Sequence, residues 1–91
     1  MRNKSLIHTK DVKTQTGAPL HLEYYLINDS LLDGCAECYG VEILARSGEN
    51  QSYAGIPRIT MRGTRIFTLI DQLAYFAVTP ETLHDVVQDW L

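Results

Sequence analysis

Ninety-one residues with a formal net charge of −3 amount to one domain, spanning 1–91, near the lower end of what a single core can hold together. Hydrophobic residues make up 45% and charged residues 21%, too apolar for a disordered chain, and no apolar run approaches the roughly 20 residues of a membrane-spanning helix. The acidic balance argues against a general nucleic-acid binder, and the basic start, Met1-Arg2-Asn3-Lys4, has no apolar segment behind it to act as an export signal, so the expected location is the cytoplasm.

Ser5–Thr14 is rich in Thr, Val and Ile but alternates poorly, which suits an edge strand. Thr16-Gly17-Ala18-Pro19 is a hairpin turn signal. Leu20–Asn28 alternates cleanly: Leu20, Leu22, Tyr24 and Leu26 share one face, and His21, Glu23, Tyr25 and Ile27 the other. A loop through Asp33-Gly34 and the cysteines is expected next. Tyr39–Arg46 is a second alternating strand, with Tyr39, Val41, Ile43 and Ala45 opposed by Gly40, Glu42, Leu44 and Arg46. After the turn at Ser47-Gly48-Glu49-Asn50, a short strand over Gln51–Ile56 is expected to stop at Pro57. Short connections make the sheet antiparallel, with three or four strands.

From Gly63 the period becomes helical. Ile66, Leu69, Ile70, Leu73 and Ala77 form a stripe, and Pro80 places the helix end near Val78. Thr79-Pro80-Glu81 then starts a second helix, with Thr79 as its cap and Leu83, Val86, Val87 and Trp90 as its buried stripe. The expected fold is α+β: a small antiparallel sheet with two C-terminal helices, about 63–78 and 80–91, packed on one face, and Trp90 as a main anchor.

Leu22-Glu23-Tyr24-Tyr25-Leu26-Ile27, Tyr39-Gly40-Val41-Glu42-Ile43 and the closing segment Val78-Thr79-Pro80-Glu81-Thr82-Leu83-His84-Asp85-Val86-Val87-Gln88-Asp89-Trp90-Leu91 carry a resemblance. Over about residues 18–91 the chain resembles a family of small proteins from Gram-positive anaerobes described only as a domain of unknown function. That resemblance implies no catalytic residue, cofactor or partner, and the cysteine pair departs from the family's pattern.

Four groups of residues bear on chemistry. Cys35 and Cys38, spaced Cys-Ala-Glu-Cys, are two potential zinc ligands, with His8, His21 and His84 as the only histidines to complete a tetrahedron. No second ligand pair stands at finger-like spacing, and two reduced cysteines, one partly buried, are the simpler reading. Arg58, Arg62 and Arg65 fall within eight residues before and at the start of the first helix, where arginines and free backbone N–H groups are a pattern for an anion such as phosphate. Their simpler role is pairing with acids, including the Glu81, Asp85 and Asp89 face of the last helix. Arg2, Lys4, Lys10 and Lys13 with Tyr25, Tyr53 and Phe67 would be the elements of a nucleic-acid surface, against which the overall acidity weighs. Finally, two helices cover one sheet face only, leaving Tyr25, Ile27 and Leu44 on the other as a candidate interface.

No phosphate loop or nucleophile elbow is present, and the helical carboxylates recur every four residues, as on a solvated face. The sequence therefore points to a non-enzymatic, cofactor-free interaction or homodimerising module, with a homo-oligomer or another protein as partner. The alternative is a metal- or anion-binding regulator.

Overall fold

A computed structural model describes residues 2–31 and 36–91. It contains four strands, β1 (Arg2–Lys13), β2 (Pro19–Leu31), β3 (Ala36–Ser47) and β4 (Asn50–Thr60), then helix α1 (Gly63–Tyr75), a 3-10 turn (Pro80–Thr82) and helix α2 (Leu83–Trp90). The strands pair antiparallel in the order β1-β2-β3-β4, so the chain walks across the sheet in sequence order. The α+β expectation holds, with four strands and both helices C-terminal to the sheet.

The turns explain the meander. Thr14 organises the β1–β2 connection: its carbonyl accepts from the Gly17 N–H (2.9 Å), and its hydroxyl accepts from the Ala18 N–H (3.2 Å). Ser47 and Asn50 pair across a two-residue turn in which Gly48 takes a φ of 59°, a conformation glycine adopts without a Cβ penalty.

Two bulges account for what the sequence pattern obscured. The β1–β2 register shifts between Leu6 and His8. Before the shift Arg2, Lys4 and Leu6 lie on one face; after it Thr9, Asp11 and Lys13 do, so a single period-two reading of β1 fails. In β4 the register jumps between the Val41–Ile56 and Tyr39–Thr60 pairs, which puts Pro57 inside a bulge and lets the strand continue to Thr60. The expected stop at Pro57 is thus corrected: an edge strand tolerates proline at a bulge, where no ladder hydrogen bond is lost. Gly40 stands opposite this bulge, and a Cβ there would collide with the Ile56 carbonyl and the Pro57 backbone.

One sheet face is covered. Leu22, Tyr24, Val41, Ile43 and Ala45 meet Ile66, Leu69, Ile70 and Leu73 of α1, with Val78, Leu83 and Val87 closing the core. α1 touches all four strands. From β1, Lys10 donates to the Ala74 and Tyr75 carbonyls (2.8 and 3.0 Å), supplying a cation to a helix end that has none of its own.

α1 ends at Tyr75, three residues before the expected position. The N–H of Val78 bonds the Leu73 carbonyl (2.9 Å) and that of Ala77 the Ala74 carbonyl (3.1 Å), the paired bonds of a Schellman cap. Ala77 therefore sits at a φ of 51°, which costs an alanine about 1 kcal/mol that glycine would avoid. With no glycine at this position, the sequence carried no signal for the stop. The second helix starts as a 3-10 turn, and Thr79 precedes it in extended geometry without a side-chain capping bond. Trp90 is half-buried against the core, with the Arg65 guanidinium 4.4 Å from its ring centroid.

Candidate interaction face

Strand alternation puts His21, Glu23, Tyr25, Ile27 and Asp29 of β2 on the face away from the helices. Across from them stand Arg46, Leu44, Glu42, Gly40 and Cys38 of β3, in that order. β1 adds Arg2, Lys4, Leu6, Thr9 and Asp11, and β4 adds Gln51 and Tyr53. This open face is a field of paired charges crossed by one apolar stripe.

Near the ends of β1 and β2, Asp29 is 6% exposed and bonds both Arg2 (3.1 Å) and Arg58 (3.2 Å). Arg2, and then Arg58, hold its carboxyl below the usual carboxylate range. Further along, Lys4 bonds Glu42 (2.8 Å) and lies 4.6 Å over the Tyr25 ring. The Tyr25 hydroxyl donates to Glu23 (2.5 Å). Glu23 also faces Nε2 of His21 (3.1 Å), whose Nδ1 faces Asp11 (2.8 Å). Both ring nitrogens thus point at carboxylate oxygens, an arrangement that only the doubly protonated imidazolium satisfies. Asp11, and next Glu23, raise the His21 pKa accordingly. Glu23 is lowered, first by Tyr25 and then by His21, and Tyr25 is raised by Glu23.

The apolar stripe runs diagonally across this field. Leu6 pairs with Tyr25 across β1 and β2, and Leu44 pairs with Tyr53 across β3 and β4. Tyr25 and Leu44 are diagonal neighbours on adjacent strands, each directly opposite a glutamate (Glu42 and Glu23). Leu6 is 50% and Tyr53 71% exposed, while Tyr25 and Leu44 are half-buried. A shallow groove of about 220 Å³, lined by Lys4, Glu42, Leu44, Gln51 and Tyr53, runs beside the stripe.

Of the three residues expected at the interface, Tyr25 and Leu44 lie in this stripe, whereas Ile27 is only 6% exposed and offers almost no surface for contact. Leu6 and Tyr53 join them instead. Leu6 was hidden because the β1 bulge breaks the pattern that would assign its face.

The arginine cluster does not assemble. Arg58 engages Asp29 on the open face, and Arg65 stacks on Trp90 in the helical layer, so the two are on opposite sides of the sheet. Arg62 precedes α1 in extended geometry, with no side-chain cap. Neither Arg58 nor Arg65 pairs with the acidic side of α2, the other expectation for them. Cys38 lies in β3, opposite Asp29, and is buried rather than looped; Cys35 falls outside the described residues. Among the described residues no group of three or more His, Cys, Asp or Glu side chains is placed to hold a metal ion. The basic residues proposed for nucleic acid are engaged within the fold at Arg2, Lys4 and Lys10. No helix among the described residues is long and apolar enough to cross a membrane.

Residues 3–91 match the model of a family of unknown function, DUF6514, a span that also takes in β1. No curated protein and no solved structure matches the chain.

Proposed function

The chain belongs to DUF6514, and we propose that it is a non-enzymatic protein-interaction module whose contact surface is the open face of its sheet. The observation that carries this reading is the row of Leu6, Tyr25, Leu44 and Tyr53, one partly exposed apolar side chain from each strand, crossed at Tyr25 by the Lys4–Glu42 pair and flanked by the His21–Glu23 pair. Such a patch gains from being covered, and paired rim charges can be covered without leaving a lone ion. The strand edges are poor alternatives. β1 carries a bulge and four basic residues, and β4 carries a bulge with Pro57, the devices by which sheets discourage edge pairing.

A metal- or anion-binding regulator finds less support, since the three arginines diverge and Cys38 sits among strand residues.

The test replaces Tyr53 with a photo-crosslinking phenylalanine in the intact chain, and in a second preparation replaces Gln72, exposed on the helical side. Irradiation in cells is expected to yield covalent protein adducts from position 53 and none from position 72. Adducts from position 72 alone would overturn the assignment of the face.

A further inference from the structure

We propose that His21 is a pH-operated latch between β1 and β2: on losing its proton it releases Asp11 and keeps Glu23, so that the edge strand loosens at one end only. The latch stands independently of the reading of the open face as a contact surface.

Three charged groups face the ring. Asp11 comes from the edge strand β1, Glu23 from β2 itself, and Arg46 of β3 stands directly opposite His21. The two carboxylates take opposite ring nitrogens, Asp11 at Nδ1 (2.8 Å) and Glu23 at Nε2 (3.1 Å), and they differ in freedom. The Asp11 carboxylate is 83% exposed and has His21 as its one hydrogen-bond partner among the described residues. The Glu23 carboxylate is 17% exposed, its other oxygen accepts from the Tyr25 hydroxyl (2.5 Å), and the Arg46 charge also acts on it.

The imidazolium donates to both carboxylates. Neutral imidazole has a single N–H, so one ring nitrogen turns a lone pair toward a carboxylate oxygen and that contact becomes repulsive. The repulsion is relieved by whichever carboxylate can move and be hydrated. Glu23 is held in place by Tyr25 and partly buried, so an oxygen stripped of its donor there keeps its desolvation cost. Asp11 turns into solvent, where water replaces the lost bond. The remaining proton therefore sits on Nε2, facing Glu23, and Nδ1 carries the lone pair.

The consequence is confined to one end of β1. Near its start, Arg2 ties the strand to Asp29 of β2 and Lys4 ties it to Glu42 of β3. Both cations stay charged well above neutral pH, and Glu42 raises the Lys4 pKa further. A proton lost near neutral pH thus unfastens the Asp11 end and leaves the Arg2 end closed.

The experiment is nitrogen-15 NMR of the histidine rings in the full chain from about pH 5.5 to 9, with amide hydrogen exchange followed at pH 6 and pH 8.5. The His21 ring is expected to pass from both nitrogens protonated to Nε2 alone protonated. Protection of the Thr9–Lys13 amides, corrected for intrinsic exchange at each pH, should fall about threefold over the same range, while that of Asn3–Leu6 holds. In Asp11→Asn, a substitution at an exposed site, the fall in protection should vanish while the neutral ring keeps its proton on Nε2. A neutral ring protonated on Nδ1 overturns the latch, as does a ring already neutral at pH 6. So does an equal loss of protection at Asn3–Leu6, or a loss at Thr9–Lys13 that is absent in the wild type or persists in Asp11→Asn.

Discussion

The two faces of one sheet solve different problems with residues that alternate along the same strands. On the covered face, Leu22, Tyr24, Val41 and Ile43 are at most 1% exposed and meet a helix presenting Ile66, Leu69, Ile70 and Leu73. Within that layer the Tyr24 hydroxyl donates to the Val78 carbonyl (2.9 Å), whereas the Asn28 Oδ1, on the same face of β2, is buried without a hydrogen-bond partner. On the open face the neighbouring positions hold Glu23, Tyr25, Glu42 and Leu44, where polar groups pair with one another and the apolar atoms stay partly in water. The covered face spends its side chains on folding, and the open face keeps apolar area that folding does not use. A residue's position in the two-residue period therefore decides whether its side chain enters the folding core or stays at the open surface of this domain.

The sharpest way to break that contrast is to truncate adjacent residues. Ile43→Ala opens a cavity under α1 and is expected to cost about 3–4 kcal/mol, whereas Leu44→Ala, one residue on, should cost under about 1 kcal/mol in the monomer. Urea denaturation of both variants, held at a concentration where the chain is monomeric, measures the difference. Equal losses would mean that Leu44 belongs to a folding core on the open side, and the division between the faces would fail.

The adjacent tyrosines sharpen it further. Tyr24→Phe leaves the Val78 carbonyl without its donor inside the core and should cost about 1–3 kcal/mol. Tyr25→Phe removes a bond to Glu23 at a partly solvated site, where water replaces it, and should change stability by no more than about 0.5 kcal/mol. Burial also pushes the Tyr24 phenol up to about 12, so its ultraviolet ionisation step should appear near that pH only while the protein is folded. A Tyr24 step near 10 in the native protein would place this hydroxyl in water.

Much of this was legible in the residues. The alternation in β2 and β3 separates Leu22 and Tyr24 from Glu23 and Tyr25, and the spacing of Ile66, Leu69, Ile70 and Leu73 identifies the covering helix. What was not legible is non-local or backbone-borne. The face of Leu6 depends on a bulge set by pairing with β2, and the continuation of β4 past Pro57 depends on room that Gly40 leaves in β3. The end of α1 depends on Ala77 accepting a left-handed conformation, imposed because Leu73 and Val78 both reach the core. The three arginines shared a short stretch of sequence, but the chain passes from the open face to the helical layer between Arg58 and Arg65. Proximity along the chain therefore carried no information about a shared site.

The smallest expected effect is the dependence of the open face on pH, and its sign follows from His21. The folded protein raises the His21 pKa above its ordinary value near 6.5, because the imidazolium donates to Asp11 and Glu23 at once. The stabilisation is fully present below the unfolded value and is lost as pH rises through the higher folded value, where one ring nitrogen presents a lone pair to a carboxylate. Glu23 works in the opposite direction. Its pKa is lowered by Tyr25 and His21, so its contribution is present above its ordinary value and disappears as pH falls through the lowered one. The open face should therefore be most stable in a window between these two titrations, on the acid side of the raised histidine value. Chemical denaturation at pH 6 and pH 8.5 should show the wild type losing stability at the higher pH, by less than either of the contrasts above. His21→Gln should remove that loss, because glutamine keeps a donor but takes up no proton between the two conditions. If His21→Gln shows the same pH dependence as the wild type, the pair of bonds from His21 to Asp11 and Glu23 does not carry the response, and the open face contributes nothing to stability over this pH range.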